Sequence, residues 1–252
     1  RNRTIAELAA RGNESLKDLG KILGHGSLDA RRNAVWALTR IGSPKARAIV
    51  RKAFQDSEQS VRHTACNSIW KTRDKKAARG LKNLLLEDKS PVVQLAAARA
   101  LGRIRDKSSV NVLLEYIERP LDRLNAHAAI YALIEINDFA NTARGLKRDN
   151  EEVKKRTIWA LNGMRNSALK ADQVLSFFNA TSDNLVATGI AICKLHPNWE
   201  EEIASAFCHW QDEGKLTEQR LKAVDELAPL HLENQTMQSF VGRFFEGNDS
   251  TK

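Results

Sequence analysis

The stretch VVQLAAARALGRI, residues 92–104, sets the pattern for the chain. Its apolar positions Val93, Ala97, Ala100, Leu101 and Ile104 follow i, i+4, i+7, i+8, i+11, one stripe at a 3.6-residue period, which predicts a helix. The stripe pairs a small residue with a large one. The same small–large pair returns as Ala37-Leu38, Ser68-Ile69, Ala100-Leu101, Ala132-Leu133, Ala160-Leu161 and Ala191-Ile192, at spacings of 31, 32, 32, 28 and 31 residues. Three residues beyond each large member stand Ile41, Thr72, Ile104, Ile136, Met164 and Leu195. A period of this size predicts a solenoid of stacked helix pairs.

A second amphipathic stretch lies between successive members. These stretches run over 44–55, 75–87, 107–118, 139–147 and 170–179. Turn signals such as Gly42-Ser43-Pro44, Asp88-Lys89-Ser90-Pro91 and Asn137-Asp138 separate them, and Pro44 and Pro91 suit first helical turns. Residues 4–11 read as the end of one more helix of the first set, and 14–23 as the partner preceding the helix over 29–41. After Pro197 the rhythm lapses and three helices are predicted, over 199–213, 216–227 and 232–245. The fold expected is all-α: an α-solenoid of about six helix pairs over 1–197, a divergent helical C-terminal cap over 198–246, and a frayed tail over 247–252. The 28-residue spacing predicts a shortened second helix near 139–147.

Composition changes this picture little. With 42% hydrophobic and 28% charged residues, the chain is expected to fold. No apolar run reaches the roughly 18 residues of a membrane span, so no membrane insertion is expected in this segment. It begins at Arg1 without a signal-peptide pattern and reads as a piece of a longer or processed protein. Charge is uneven: residues 1–170 hold 34 Lys and Arg against 18 Asp and Glu, whereas 171–252 hold 6 against 13. That asymmetry points to an acidic partner or to contact between the two ends, with a merely solubilising surface as the plainer reading. Cys66, Cys193 and Cys208 show no metal-binding spacing, and Cys193 and Cys208 can pair only if their helices are neighbours.

With each stripe buried, the opposite face follows at 100° per residue. It carries Arg32, Trp36 and Thr39; His63, Asn67 and Trp70; Leu95, Arg99 and Gly102; His127, Tyr131 and Ile134; and Lys155, Trp159 and Asn162, with Arg40, Lys71 and Arg103 on the flank. The arginines, lysines, histidines and aromatics of this set form the candidate partner-binding face. Tyr, Trp and Arg dominate binding hot spots because they combine large rigid area with a polar handle. The aromatics serve equally well as packing that fixes superhelical twist. The first expectation is a non-catalytic interaction or scaffold module for a protein or acidic partner, including other domains of its own parent chain. The alternative is nucleic-acid binding through the same basic face, against which Glu135 interrupts the Arg40–Lys71–Arg103 ladder. No enzyme, cofactor or metal site is expected: His196, Glu200, Glu201 and His209 resemble a metal cluster only loosely, since acids at 200–202 suit a helix start.

The segments DARRNAVWALTRIGSPKARAIVRKAF and VVQLAAARALGRIRDKSSVNVLLEYI resemble HEAT-like repeats of the phycobilisome-lyase type over about residues 14–196. That resemblance implies an α-solenoid whose second helices line the concave side. The runs RLNAHAAIYALIEINDFANTARGL and VKKRTIWALNGM look like the HEAT segment of bacterial multidomain dehydrogenases, which join a β-propeller, a HEAT region and a c-type cytochrome. This narrower resemblance implies a periplasmic or exported location; without it the location implied is cytoplasmic. None of the redox chemistry carries over, because the chain has no CxxCH motif.

Overall fold

The computed structural model describes residues 2–249, with side chains over 3–245. Among the described residues every regular element is helical. The chain divides into two compact units, Arg1–Gly145 with Gly163–Arg165, and Leu146–Asn162 with Asn166–Lys252.

In the first unit the helices form two layers. One layer holds α1 (Asn2–Ala10), α3 (Leu28–Ile41), α5 (Gln59–Thr72), α7 (Pro91–Ile104) and α9 (Arg123–Ile136), each packed on the next. The other holds α2 (Leu16–His25), α4 (Pro44–Lys52), α6 (Ala78–Glu87), α8 (Val110–Tyr116) and α10 (Phe139–Thr142). The expected second helices are therefore present, several as composites of an α-helix and a 3-10 turn. The shortened one is α10, which passes into a 3-10 turn over Ala143–Lys147. The small–large pairs form the core: Ala37, Leu38, Ser68, Ile69, Ala100, Leu101, Ala132 and Leu133 are buried. Alanine at these positions lets neighbouring backbones approach, and the adjacent Leu or Ile fills the space behind. Where the small residue is Ser68, its hydroxyl meets Thr39 Oγ1 at 2.6 Å, so neither buried hydroxyl is left unpaired.

Local chemistry sets the helix ends. Ser27 accepts from the Ala30 N–H, Ser43 from Ala46, and Asp122 from both Leu124 and Asn125. The residues just after α3, α5, α7 and α9 are Gly42, Arg73, Arg105 and Asn137, all left-handed with φ of 65°, 51°, 54° and 56°. These fall at one repeat position and reverse the chain into the next helix.

Ion pairs tie neighbouring repeats. Arg62 grips Asp88 through Nε–Oδ2 at 2.6 Å and Nη2–Oδ1 at 3.0 Å. Arg31 approaches Asp56 at 3.4 Å, and Arg51 pairs with Asp74. The repeat spacing predicted none of these pairs.

In the second unit α11 (Glu151–Asn162), α13 (Asp183–Lys194) and α15 (Glu218–Leu227) pack in sequence, and so do α12 (Ala171–Leu175), α14 (Glu200–Asp212) and α16 (Gln235–Asp249). The two-layer alternation thus continues past Pro197 although the sequence rhythm lapses. Aromatic packing replaces the small–large pair there: the Phe207 ring lies 5.4 Å from Trp210 and 5.5 Å from Phe240. One expected core position fails. Leu195 is 57% exposed, because α13 ends at Lys194 and the chain turns away from the core. Of the tail 247–252, residues 247–249 continue α16 and 250–252 lie outside the described residues.

Candidate interaction face

The side of α3, α5, α7 and α9 away from the core is built by the same close packing that makes the core. Gly102 shows how close: a Cβ there would lie 2.7 Å from the Ala132 Cα. At that separation, side chains five before, one before and three after each small residue come into register across the helices. They are Arg32, Trp36 and Arg40 on α3; His63, Asn67 and Lys71 on α5; Leu95, Arg99 and Arg103 on α7; and His127, Tyr131 and Glu135 on α9.

Most of these side chains are accessible. Arg40, Lys71, Arg99, His127 and Tyr131 are exposed, as is Trp70, while Arg32, Trp36, His63 and Arg103 are half-buried. In the second unit Lys155 is half-buried and paired with Glu152, and Trp159 is exposed. Two residues assigned to this face belong elsewhere. Thr39 is buried and donates to the Val35 carbonyl at 2.6 Å, and Gly102 is covered by Ala132. Both lie where adjacent helices touch, so the 100° wheel, which ignores lateral neighbours, misplaces them.

The face is organised electrostatically. The Arg99 and Arg103 guanidinium carbons lie 5.8 and 5.3 Å from the centroid of the Trp70 ring, one repeat away. Arg103 also approaches Glu135 of the following repeat at 3.7 Å. The acid that breaks the basic ladder therefore steers Arg103. Burial holds the His63 imidazole below its usual pKa, with further lowering from Arg99 and Arg32. The Asn67 amide lies 3.3 Å from its Nε2. His127 and Tyr131 stack with centroids 6.4 Å apart.

Sequence reasoning missed the apolar part of the face. Leu124 is 70% exposed and Val92 58%. Each stands eight residues before the small residue of its own repeat, at the first turn of α9 and α7. That shared offset was the available signal.

The other candidate chemistry disperses. His196 stacks on Trp199 at 3.9 Å and bonds Asn162 Oδ1 at 2.6 Å, whereas Glu201 accepts from Asn234 and Thr236. Among the described residues, no group of three or more His, Cys, Asp or Glu side chains is placed to hold a metal ion. The three cysteines are free. Burial raises the Cys66 thiol well above its usual pKa and moves Cys193 to about 12. No helix among the described residues is long and apolar enough to cross a membrane.

A family model described as HEAT repeats matches residues 1–60 and 50–134. The curated relatives include deoxyhypusine hydroxylase from Gallus gallus, 32% identical over 95 residues, and that from Homo sapiens, 30% identical over 95 residues. Each match covers 37% of this chain and 32% of the relative, so the chain aligns with about a third of the curated relatives' length. Among solved structures, the CpcE–CpcF complex of phycocyanin lyase from a Nostoc species superposes with a TM-score of 0.47 at 17% identity, over 90% of this chain and 92% of that one. Human deoxyhypusine hydroxylase in complex with glycerol gives 0.44 at 16%, over 92% and 95%.

The relatives correct one expectation. The sequence shows no catalytic constellation and predicts no enzyme, yet the curated proteins that align with a 95-residue stretch of it are enzymes by name. Repeat architecture is therefore no argument for catalytic inertness.

Proposed function

Since the chain belongs to the family of HEAT repeats, we propose that it is an interaction scaffold that takes a protein partner on the outward side of α3, α5, α7 and α9. The observation that carries this reading is the company kept by Trp70. It stays 38% exposed while Arg99 and Arg103 of α7 flank it, and Tyr131 at 51% and Leu124 at 70% are exposed on α9, the helix beyond α7. Exposed aromatics flanked by cations combine rigid apolar area with charge and suit a partner's apolar and acidic groups. The partner class is an acidic segment with apolar anchors.

The test is affinity capture with wild-type protein and with a Trp70→Ala/Tyr131→Ala variant. A partner retained by the wild type and lost by a variant that melts at the same temperature supports the face. Equal retention by both removes it. Single-stranded nucleic acid serves as a second probe: binding that weakens steeply with salt would favour the alternative. The Arg103–Glu135 contact at 3.7 Å weighs against a phosphate track.

A second reading has its own support. The 32% identity over 95 residues with a deoxyhypusine hydroxylase makes hydroxylation of deoxyhypusine a proposal to test directly. Incubation with deoxyhypusine, dioxygen and a reducing agent, followed by mass spectrometry for one added oxygen, tests it.

A further inference from the structure

A cleft of about 700 Å³ lies on the other layer of the first unit, between α2 and α4. Its floor is apolar, from Leu16, Leu23 and Ile49. Its rim carries Lys17, Lys21, His25, Arg31 and Lys52 against one acid, Asp56. Asp56 is already engaged by Arg31 at 3.4 Å and is buried to 5% side-chain exposure. Among the described residues no ion pair involves Lys17, Lys21, His25 or Lys52. His25 and Lys52 end their helices, where cations complement the terminal carbonyls. That account does not extend to Lys17 in the first turn of α2.

Two missing side chains leave the cleft wider. Gly20 and Gly24 both line it, one turn apart in α2. Neither has a positive φ, and a Cβ at either would meet nothing within 4 Å. Close packing and turn geometry therefore do not require glycine there, and glycine inside a helix is destabilising relative to alanine. The physical effect of the pair is open space under a ring of cations. The volume lies in the range of small-molecule sites, which combine an apolar floor with a few placed charges.

From this geometry we infer that the α2–α4 cleft binds a small phosphorylated organic anion. Its phosphates meet Lys17, Lys21 and Lys52, and its apolar body lies over Gly20 and Gly24. The site is separate from the face on α3–α9 and does not depend on that reading.

The experiment is isothermal titration calorimetry on the full chain at low salt, with magnesium-free adenosine triphosphate and with inorganic pyrophosphate. Adenosine triphosphate is expected to bind with a Kd below about 1 mM, and pyrophosphate on the order of tenfold more weakly because it has no body for the floor. Lys17→Ala with Lys52→Ala should weaken adenosine triphosphate by on the order of tenfold. Gly20→Leu should abolish binding by filling the cleft, while the melting temperature holds or rises because a helix-interior glycine is removed. The inference is overturned if neither anion binds the wild type, or if both the Gly20→Leu and the lysine variants bind as the wild type does. Pyrophosphate binding as tightly as adenosine triphosphate would likewise overturn it, because the floor would then contribute nothing.

Discussion

The guanidinium of Arg103 on α7 sits 5.3 Å from the ring centroid of Trp70 on α5, so the largest exposed aromatic of one repeat is held by a cation of the next. Arg103 is in turn drawn toward Glu135 at 3.7 Å. A double-mutant cycle with Trp70→Ala and Arg103→Ala isolates the ring–cation contact from the acid contact. A coupling of about 0.5–1 kcal/mol is expected from chemical denaturation. Zero coupling would mean the two side chains merely lie near each other.

The approach of α7 to α9 depends on the missing side chain at Gly102. A Cβ there would lie 2.7 Å from the Ala132 Cα and 2.9 Å from Glu135 Oε2. Backbone cannot yield as a flexible side-chain tip can. Gly102→Ala should therefore destabilise by about 1–3 kcal/mol despite alanine's better helix propensity. Ala100→Leu, at a fully buried position on the same helix, should lose stability in the same range by overpacking. Urea midpoints of the two variants read both directly.

Arg62 and Asp88 form a bidentate ion pair between repeats. Besides its two bonds to Asp88, Arg62 donates through Nη1 to the carbonyls of Asp56 at 2.8 Å and Ser57 at 2.9 Å. The hydrogen bond to Asp88 is the leading cause of its raised pKa. Asp88→Ala leaves a largely buried guanidinium short of its acceptors and should cost about 1–3 kcal/mol. The loss should be smaller when Arg62 is replaced by Met in the same chain, because the orphaned charge is then gone. Equal losses in the single and double variants would exclude this account.

His63 makes stability depend on pH. Burial, Arg99 and Arg32 favour its neutral form, so its folded pKa lies below the ordinary 6.5. Between the two values the unfolded chain binds more protons than the folded one. The contribution is complete above pH 6.5 and is lost as pH falls through the lowered folded value. His63→Gln should flatten this part of the stability profile relative to wild type. A wild-type profile that the substitution leaves unchanged would exclude the effect.

Arg73 follows α5 with φ at 51°, a left-handed position that costs a residue with a Cβ about 1–2 kcal/mol. The equivalent residue after α3 is Gly42, at φ 65°. Arg73→Gly should raise stability, by up to about 1 kcal/mol once the greater freedom of glycine in the unfolded chain is counted. Scanning calorimetry is sensitive enough to see it.

The candidate face was legible wherever a residue's exposure depends on its own helix. Arg32, Trp70, Arg99 and Tyr131 stand at the accessible angles the wheel assigns. It was illegible where a neighbouring helix decides. Thr39 and Gly102 vanish into contacts with α5 and α9, and the role of Glu135 emerges only beside Arg103. Leu124 and Val92 escaped notice because an apolar residue at a helix start reads as the edge of a stripe.

The small–large recurrence was enough to determine that this chain is helical, that it pairs its helices, and where most of them begin and end, because burying a stripe and capping a helix are local, periodic demands. Tertiary structure alone decided the rest. It made Arg31, Arg51 and Arg62 bridges between repeats, carried the two-layer stacking beyond Pro197 on the Phe207–Phe240 contact between α14 and α16, and opened a cleft above Gly20 and Gly24. Each of these depends on the distance between side chains about twenty or more residues apart, a quantity that no periodicity within a single helix contains.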